Sequence, residues 1–174
     1  MKRLITLSFF IFFILSLTTV IKADNPYFID FKFILNQSDA GKKAQKFLKN
    51  KLEKGFKNIN EKEKKIQEEE KQIIQQKKVI SAEEYKKKVT ALRNKVSSLQ
   101  KERQTLLSSV ASQRQKARNV LLKNLNPIVK NYMQENKIRM VIDKKNLLLA
   151  DDELDITKDI IVLLNKQLKS IKLD

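Results

Sequence analysis

The sequence contains no cysteine, histidine or tryptophan, and only two glycines and two prolines among its 174 residues. The absence of cysteine excludes disulfides and thiol nucleophiles, and the absence of histidine excludes an imidazole base. The most common zinc ligands are missing for the same reason. So few glycines and prolines argue against an all-β fold and favour long helices.

Candidate catalytic groups are limited to two acidic runs, residues 68–70 and 151–153. The first run lies in a predicted exposed helix, and the second precedes a helix start, where carboxylates complement the helix dipole. The pair Gly41-Lys42 lacks the rest of a phosphate-binding loop. We therefore expect a protein that is not an enzyme and that binds neither a metal nor a cofactor.

The first 23 residues have the pattern of a secretory signal peptide. Lys2 and Arg3 precede an apolar run at residues 4–21, and Ala23 supplies a small residue at the cleavage position. This pattern predicts export and cleavage after Ala23. An uncleaved membrane anchor is the alternative, because an apolar run of this length nearly spans a bilayer.

The centre of the chain carries two heptad seams. In the first, apolar residues recur every seven positions: Leu52, Ile59, Ile66, Ile73 and Ile80. In the second, the spacing alternates four and three: Tyr85, Val89, Leu92, Val96, Leu99, Leu106, Val110, Ala117 and Val120, with Arg103 and Gln113 in the two remaining positions. The seams are two residues out of phase, which is about 200° on a helix, so one helix would carry its stripes on nearly opposite faces.

A chain reversal near residue 80 removes this conflict. Residues 81–84 form an S-x-x-E capping box, which indicates a new helix start. We predict an antiparallel helical hairpin, here called the arm, over residues 39–125, with each helix about 60 Å long. Gly55 is a weak point where the arm can bend. The alternative is a single long helix in a parallel coiled coil with a stutter.

The ends of the chain carry apolar segments of a different kind. Residues 27–33 alternate as a strand does, 138–142 and 147–149 read as a β-hairpin, and Pro127 is placed to start a separate short helix at 127–135. A last helix follows from residue 155. The predicted fold is therefore mainly α with a small β-rich body, made of residues 24–38 and 126–174, into which the arm is inserted.

The predicted body is small for an independent core and has sheet edges to cover, so we expect an oligomer. Its predicted contact residues are the apolar side chains of the strands: Phe28, Ile29, Phe31, Val141, Ile142 and Leu148.

The positive charge of the chain is concentrated on the arm. Of the net charge of +17, residues 39–125 contribute 24 Lys and Arg against ten Asp and Glu, and residues 103–134 contain no acidic side chain. Repulsion between the positive charges along the arm lowers its stability, so an anionic partner is expected. Nucleic acid is not expected, because the basic residues are not interleaved with aromatics. The remaining candidate partners of the arm are acidic unfolded polypeptides and anionic lipid headgroups.

Three stretches resemble the Skp/OmpH family of periplasmic chaperones. Residues 29–42 look like the family's first strand and its N-x-S-x-x-G-K entry into the arm. Residues 140–146 look like its apolar strand and D-x-x-N turn. Residues 154–157, with Ile160 and Ile161, look like its final L-D-I-T helix start.

The resemblance implies a periplasmic homotrimer whose β-rich body carries three basic arms around a cavity, where unfolded outer-membrane proteins are held without ATP. A diffuse client-binding surface is then expected on the arm: Arg103, Arg114, Lys116, Arg118 and Lys123. An anionic lipid or lipopolysaccharide surface is a further candidate partner. The alternative functions are a structural coiled-coil protein that bridges partners in the envelope and, more weakly, a secreted nucleic-acid binder.

Overall fold

The computed structural model describes residues 25–173, so the predicted signal peptide lies outside the described residues. The elements are β1 (Tyr27–Ile29), α1 (Phe31–Gln37), α2 (Asp39–Gln76), α3 (Ala82–Glu135), β2 (Val141–Asp143) and α4 (Thr157–Gln167), with short 3₁₀ turns at Lys144–Asn146 and Asp152–Leu154. Within this part of the chain, no helix is both long enough and apolar enough to cross a membrane.

The two long helices, α2 and α3, lie against each other in opposite directions. Lys51 contacts Ser109 at 2.9 Å and Lys62 contacts Glu102 at 2.6 Å, so the partner number on α3 falls as the number on α2 rises. The reversal occupies residues 77–81. As the capping box predicts, the Ser81 hydroxyl accepts a hydrogen bond from the Glu84 N–H at 3.1 Å.

The two predicted seams occupy the contact between these helices. Ile59, Ile73, Val110 and Ala117 are buried, and most of the other apolar seam residues are half-buried. Val96 is the exception among them, because 39% of its surface is exposed. The seam of α2 also has a second row that the apolar pattern does not reveal: Leu48, Gly55, Lys62, Glu69 and Gln76. Its polar members are explained by their partners on α3, described below.

The strand predicted for residues 27–33 is wrong beyond Ile29, because α1 begins at Phe31. The cause is Asp30. Its side chain caps α1 by accepting from the Phe33 N–H at 2.7 Å, and its own N–H donates to the Thr157 hydroxyl at 2.8 Å. Phe31 and Phe33 are therefore helical. The aromatic residues whose alternation suggested one strand belong partly to a short strand and partly to a helix.

The predicted β-hairpin at residues 138–149 is also wrong. β2 instead pairs in parallel with β1, with Phe28 opposite Ile142. Asp143 caps a 3₁₀ turn by accepting from the Lys145 N–H at 3.2 Å. This turn leads the chain away from β2, so residues 147–149 form no strand with it.

The separate helix predicted at Pro127 does not exist, because α3 continues through this residue to Glu135. A proline inside a helix removes one backbone hydrogen bond and crowds the preceding turn. Here Leu121, Leu125 and Ile128 are buried in one core on both sides of the proline, and this packing holds the helix together. α3 therefore runs from the turn at residue 81 directly into the body.

The core of the body joins α1, the adjacent ends of α2 and α3, and α4. Its buried residues are Ile34, Ala40, Leu121, Leu125, Ile128, Ile138, Ile156, Ile160 and Leu164. The last helix begins where the sequence predicts, with the Asp155 carboxylate accepting from the Thr157 N–H at 2.9 Å.

The junction between α1 and α2 is tight. A Cβ on Gly41 would lie 2.9 Å from the Leu35 carbonyl carbon, so this close approach requires glycine. Buried Ser38 caps α2 by accepting from the Gly41 N–H at 3.2 Å.

Candidate functional site

A groove of about 940 Å³ lies between α2 and α3 where the two helices meet the body. Its floor is apolar and consists of Leu35, Ala44, Leu48, Leu52, Ala117 and Leu121. Its charged rim carries one acidic residue and five basic ones: Glu53, Lys42, Lys46, Lys49, Arg114 and Arg118. This arrangement places apolar side chains next to positive charge.

The two arginines of the rim belong to α3 and lie one helical turn apart. The guanidinium carbon of Arg118 is 5.8 Å from the centre of the Phe31 ring, which keeps this arginine close to the body. Within residues 25–173, no carboxylate lies at ion-pair distance from Arg114 or Arg118. By contrast, the Lys49 ammonium is 3.7 Å from the Glu53 carboxylate. The charge of the two arginines is therefore available to an anionic group.

A second groove, of about 520 Å³, lies nearer the turn at residues 77–81. It brings Ile74, with 58% of its surface exposed, together with Val96 and Arg93. Two more exposed apolar residues continue the same side, because residues seven apart share a face in a heptad pair. Phe56 follows Lys49 by seven positions, and Leu107 precedes Arg114 by seven.

We call this side of the helix pair the groove face. Its basic and exposed apolar residues are Lys42, Lys49, Phe56, Ile74, Arg93, Val96, Leu107, Arg114 and Arg118, and it also carries Glu53 and Glu70. Basic and exposed apolar side chains are interleaved along it. The face thus offers both charge and apolar contact over the length of the hairpin, with no enclosed cavity.

The opposite side of the helix pair uses its charges internally. Lys62 donates to Glu102 at 2.6 Å, Lys95 to Glu69 at 2.6 Å, and Lys88 to Gln76 at 2.7 Å. We call this set the polar ladder. Its members recur every seven residues on each helix and pair across the contact between the two helices.

The predicted arm-surface residues fall on different sides of α3. Arg114 and Arg118 are brought together on the groove face. Arg103 is exposed, but its guanidinium lies 3.4 Å from the Glu63 carboxylate. Lys116 is two residues from each of the groove arginines, about 200° around the helix, so it points away from the groove.

Lys123 follows Lys116 by seven positions and lies on the same side. The seven-residue spacing relative to the apolar seam is the sequence signal that separates the two groups.

The predicted oligomerisation residues also differ in their surroundings. Phe28 is buried within the chain, whereas Ile29, Phe31, Val141 and Ile142 are half-buried. Leu148 is 96% exposed. Two neighbours that the strand pattern did not single out, Leu149 and Met140, are exposed with it.

Two polar or small residues within the helix pair have packing partners. Gly55 faces Leu106, and a Cβ at this position would lie 2.7 Å from the Leu106 Cδ1. Gln113, in the seam of α3, accepts from the Lys51 ammonium at 3.0 Å and donates to the Leu173 carbonyl. The structure thus gives both residues a contact, and the predicted bending of the arm at Gly55 stays a prediction.

These features define a class of protein in which a long helix pair presents an extended surface. A long antiparallel helix pair extends from a small core with two parallel strands, and one side of the pair is basic and partly apolar. Within residues 25–173, no group of acidic side chains is arranged to hold a metal ion.

The chain belongs to the OmpH-like family. The model of that family, described as outer membrane protein (OmpH-like), matches residues 27–164. The fold is similar to the crystal structure of a candidate outer membrane chaperone (OmpH-like) from Caulobacter crescentus CB15, with a TM-score of 0.78 and 20% sequence identity. That similarity covers 86% of this chain and 90% of the other. A search of curated protein sequences found no match.

Proposed function

We propose that the protein is an ATP-independent holdase chaperone of the periplasm that binds unfolded outer-membrane proteins between the basic arms of a homotrimer. The groove face is the observation that carries this proposal. Membership of the OmpH-like family and the similarity to an OmpH-like candidate chaperone support it. No catalytic residue is needed for such a function.

The groove face matches the chemistry of such clients. Strands of outer-membrane barrels alternate apolar and polar residues, so an unfolded barrel chain exposes both along its whole length. Phe56, Ile74 and Leu107 offer apolar contacts, and Arg114 and Arg118 offer positive charge between them. Many weak contacts of this kind hold a chain without selecting one sequence, and the positive charge accelerates its capture when the client is acidic.

The trimer of this proposal is formed through the exposed apolar surface of the body. In the part of the chain that the structure describes, β2 pairs with β1 alone and keeps a free edge. Met140, next to β2 in the sequence, is exposed, and so are Leu148 and Leu149. Free edges and exposed leucines are liabilities in a monomer, so their burial between chains is favourable. The interface is expected to include four further residues that are half-buried within one chain: Ile29, Phe31, Val141 and Ile142.

Suppression of aggregation tests the proposed activity. An outer-membrane β-barrel protein unfolded in urea is diluted into buffer with the mature protein, and light scattering is followed over time. We expect the protein to keep the client soluble at one trimer per client molecule. A folded protein of similar positive charge is expected not to do so. Native mass measurement gives the number of chains in the same samples. Aggregation at the rate of the control contradicts the holdase function and favours the alternative, a coiled-coil protein that bridges envelope components.

Anionic lipid is a second proposed partner of the same basic face. Co-sedimentation with vesicles tests this partner separately. Sedimentation of the protein with vesicles that contain an anionic lipid, and not with neutral vesicles, supports lipid as a partner. Sedimentation of equal amounts with both kinds of vesicle contradicts it.

A further inference from the structure

The segment that follows α4, residues 168–173, crosses the junction between the body and the helix pair. We call it the strap. It forms neither helix nor strand, and its apolar residues Leu168, Ile171 and Leu173 turn inward while Lys169, Ser170 and Lys172 are exposed. Ile171 packs against the core of the body and also against a second apolar cluster. The strap is therefore shared between two parts of the molecule.

The second cluster belongs to the helix pair. Leu173 is 3% exposed and is buried with Ala44 and Leu48 of α2 and with Val110 and Ala117 of α3. One side chain of the strap thus contacts both long helices at the end nearest the body. Separation of the two helices at this end would return Leu173 to water.

Polar contacts hold the strap in the same position. Gln113 donates to the Leu173 carbonyl, and the other end of the Gln113 amide accepts from Lys51 of α2. At the start of the strap, the Lys169 ammonium lies 3.3 Å from the Asp39 carboxylate at the first residue of α2. Both helices are therefore tied to the strap by side-chain contacts as well as by apolar packing.

We propose that the strap locks the base of the helix pair to the body, so that the arm bends only beyond Val110, towards the turn at residues 77–81. Tilting of the base breaks the Gln113 contact and exposes Leu173, whereas motion nearer the turn leaves the strap untouched. Gly55 faces Leu106, which packs against the edge of the second cluster, so this pair lies at the boundary. The strap thus sets where the hairpin is rigid and where it is able to adapt.

Amide hydrogen exchange tests this proposal in the intact mature protein. The variant Leu173→Ala is compared with Lys172→Ala, which changes the exposed neighbour. We expect exchange at residues 44–52 and 110–117 to become about ten- to hundredfold faster in Leu173→Ala alone, because a buried leucine side chain is lost there. Exchange in α4 is expected to stay slow. Unchanged exchange at the base, or equally faster exchange in α4, overturns the proposal.

Distances between spin labels separate a lock from ordinary core packing. The chain has no cysteine, so Lys158→Cys in the body and Lys86→Cys near the turn accept labels cleanly. Labelled protein is diluted with unlabelled protein so that distances within one chain dominate. We expect the distribution to broaden in Leu173→Ala and to keep its wild-type width in Lys172→Ala. A loss of thermal stability with no broadening means that Leu173 only fills space, and this result overturns the proposal.

Discussion

Lys62 on α2 donates to the Glu102 carboxylate on α3 at 2.6 Å, and this contact joins the two helices across their seam. Lys95 with Glu69 and Lys88 with Gln76 repeat the contact towards the turn at seven-residue intervals. A slip by one heptad would place Lys62 opposite Lys95 in one direction and Glu69 opposite Glu102 in the other. Each slip creates a pair of like charges. The apolar residues repeat every seven positions and fit several alignments equally well, so the polar ladder favours one alignment of the two helices over its neighbours.

Charge reversal within the ladder tests this role. We expect Lys62→Glu and Glu102→Lys each to lower the free energy of unfolding by about 0.5–1 kcal/mol, because each places like charges across the helix pair. The double variant restores the opposite-charge pair and most of the stability. Urea unfolding of the two single variants and the double variant measures the coupling. Lys116→Glu, on an exposed site without a ladder partner, is the control. A double variant whose loss equals the sum of the single losses would show that the two residues are not coupled.

The close approach of Gly55 and Leu106 gives a second double-mutant test. Alanine is favoured over glycine inside a helix by about 1 kcal/mol, so Gly55→Ala is expected to stabilise α2 if space allows. In the wild-type background we expect this gain to be lost, because the new Cβ meets the Leu106 side chain. In the Leu106→Ala background the gain should appear in full. Equal gains in both backgrounds, measured by urea unfolding, would mean that Gly55 is not set by this contact.

The sequence was sufficient to predict those features that local chemistry or strict spacing imposes. Ile59 and Ile73 are buried because the contact between two helices recurs every seven residues, and this spacing is visible in the chain. The Ser81 cap depends on residues within one turn, so it is visible too. The ends of the chain are different. Asp30 ends β1 and caps α1, and this outcome depends on Thr157, which is distant in the sequence.

The candidate site was predictable only in outline. Its basic character follows from the composition, and heptad spacing places Arg114 and Lys116 on different sides of α3. Only the position of the partner helix shows which of these sides forms the groove. The second seam row was missed because Lys62 and Glu69 are ordinary charged residues until their partners are known. Leu173 gave no signal at all, since a single leucine after the last helix has no pattern from which its burial can be predicted.

The raised pKa of Tyr132 predicts that the protein loses stability at alkaline pH. Burial, a 2.8 Å hydrogen bond to Asp159 and the negative charge of Asp159 raise the pKa of Tyr132 from 10.0 to about 12. The unfolded chain therefore loses this proton at lower pH than the folded protein. Its contribution to stability is complete below pH 10 and is lost as the pH rises towards about 12.

Thermal unfolding measured across this pH range tests the assignment. We expect Tyr132→Phe to flatten the decline, and Tyr85→Phe, on the helix pair, to leave it as in the wild type. An identical decline in all three proteins would show that Tyr132 does not contribute to it.

The groove face predicts which basic residues capture clients. The double variants Arg114→Glu/Arg118→Glu and Lys116→Glu/Lys123→Glu make the same change in net charge within one stretch of α3, but the first pair lines the groove and the second points away. We expect the first variant to slow capture of an acidic unfolded client severalfold at low salt, and the second to remain close to the wild type.

The difference between these two variants should disappear at high salt, because the Debye length shortens from about 10 Å at 0.1 M to about 3 Å at 1 M. Stopped-flow capture of one labelled client at both salt concentrations measures these rates, and thermal unfolding checks that both variants are folded. Equal slowing by the two variants would mean that the net charge of the arm, and not the groove face, controls capture. Equal rates for all three proteins at low salt would assign capture to apolar residues such as Phe56 and Leu107, since these side chains are unchanged in both variants and their contacts are not screened by salt.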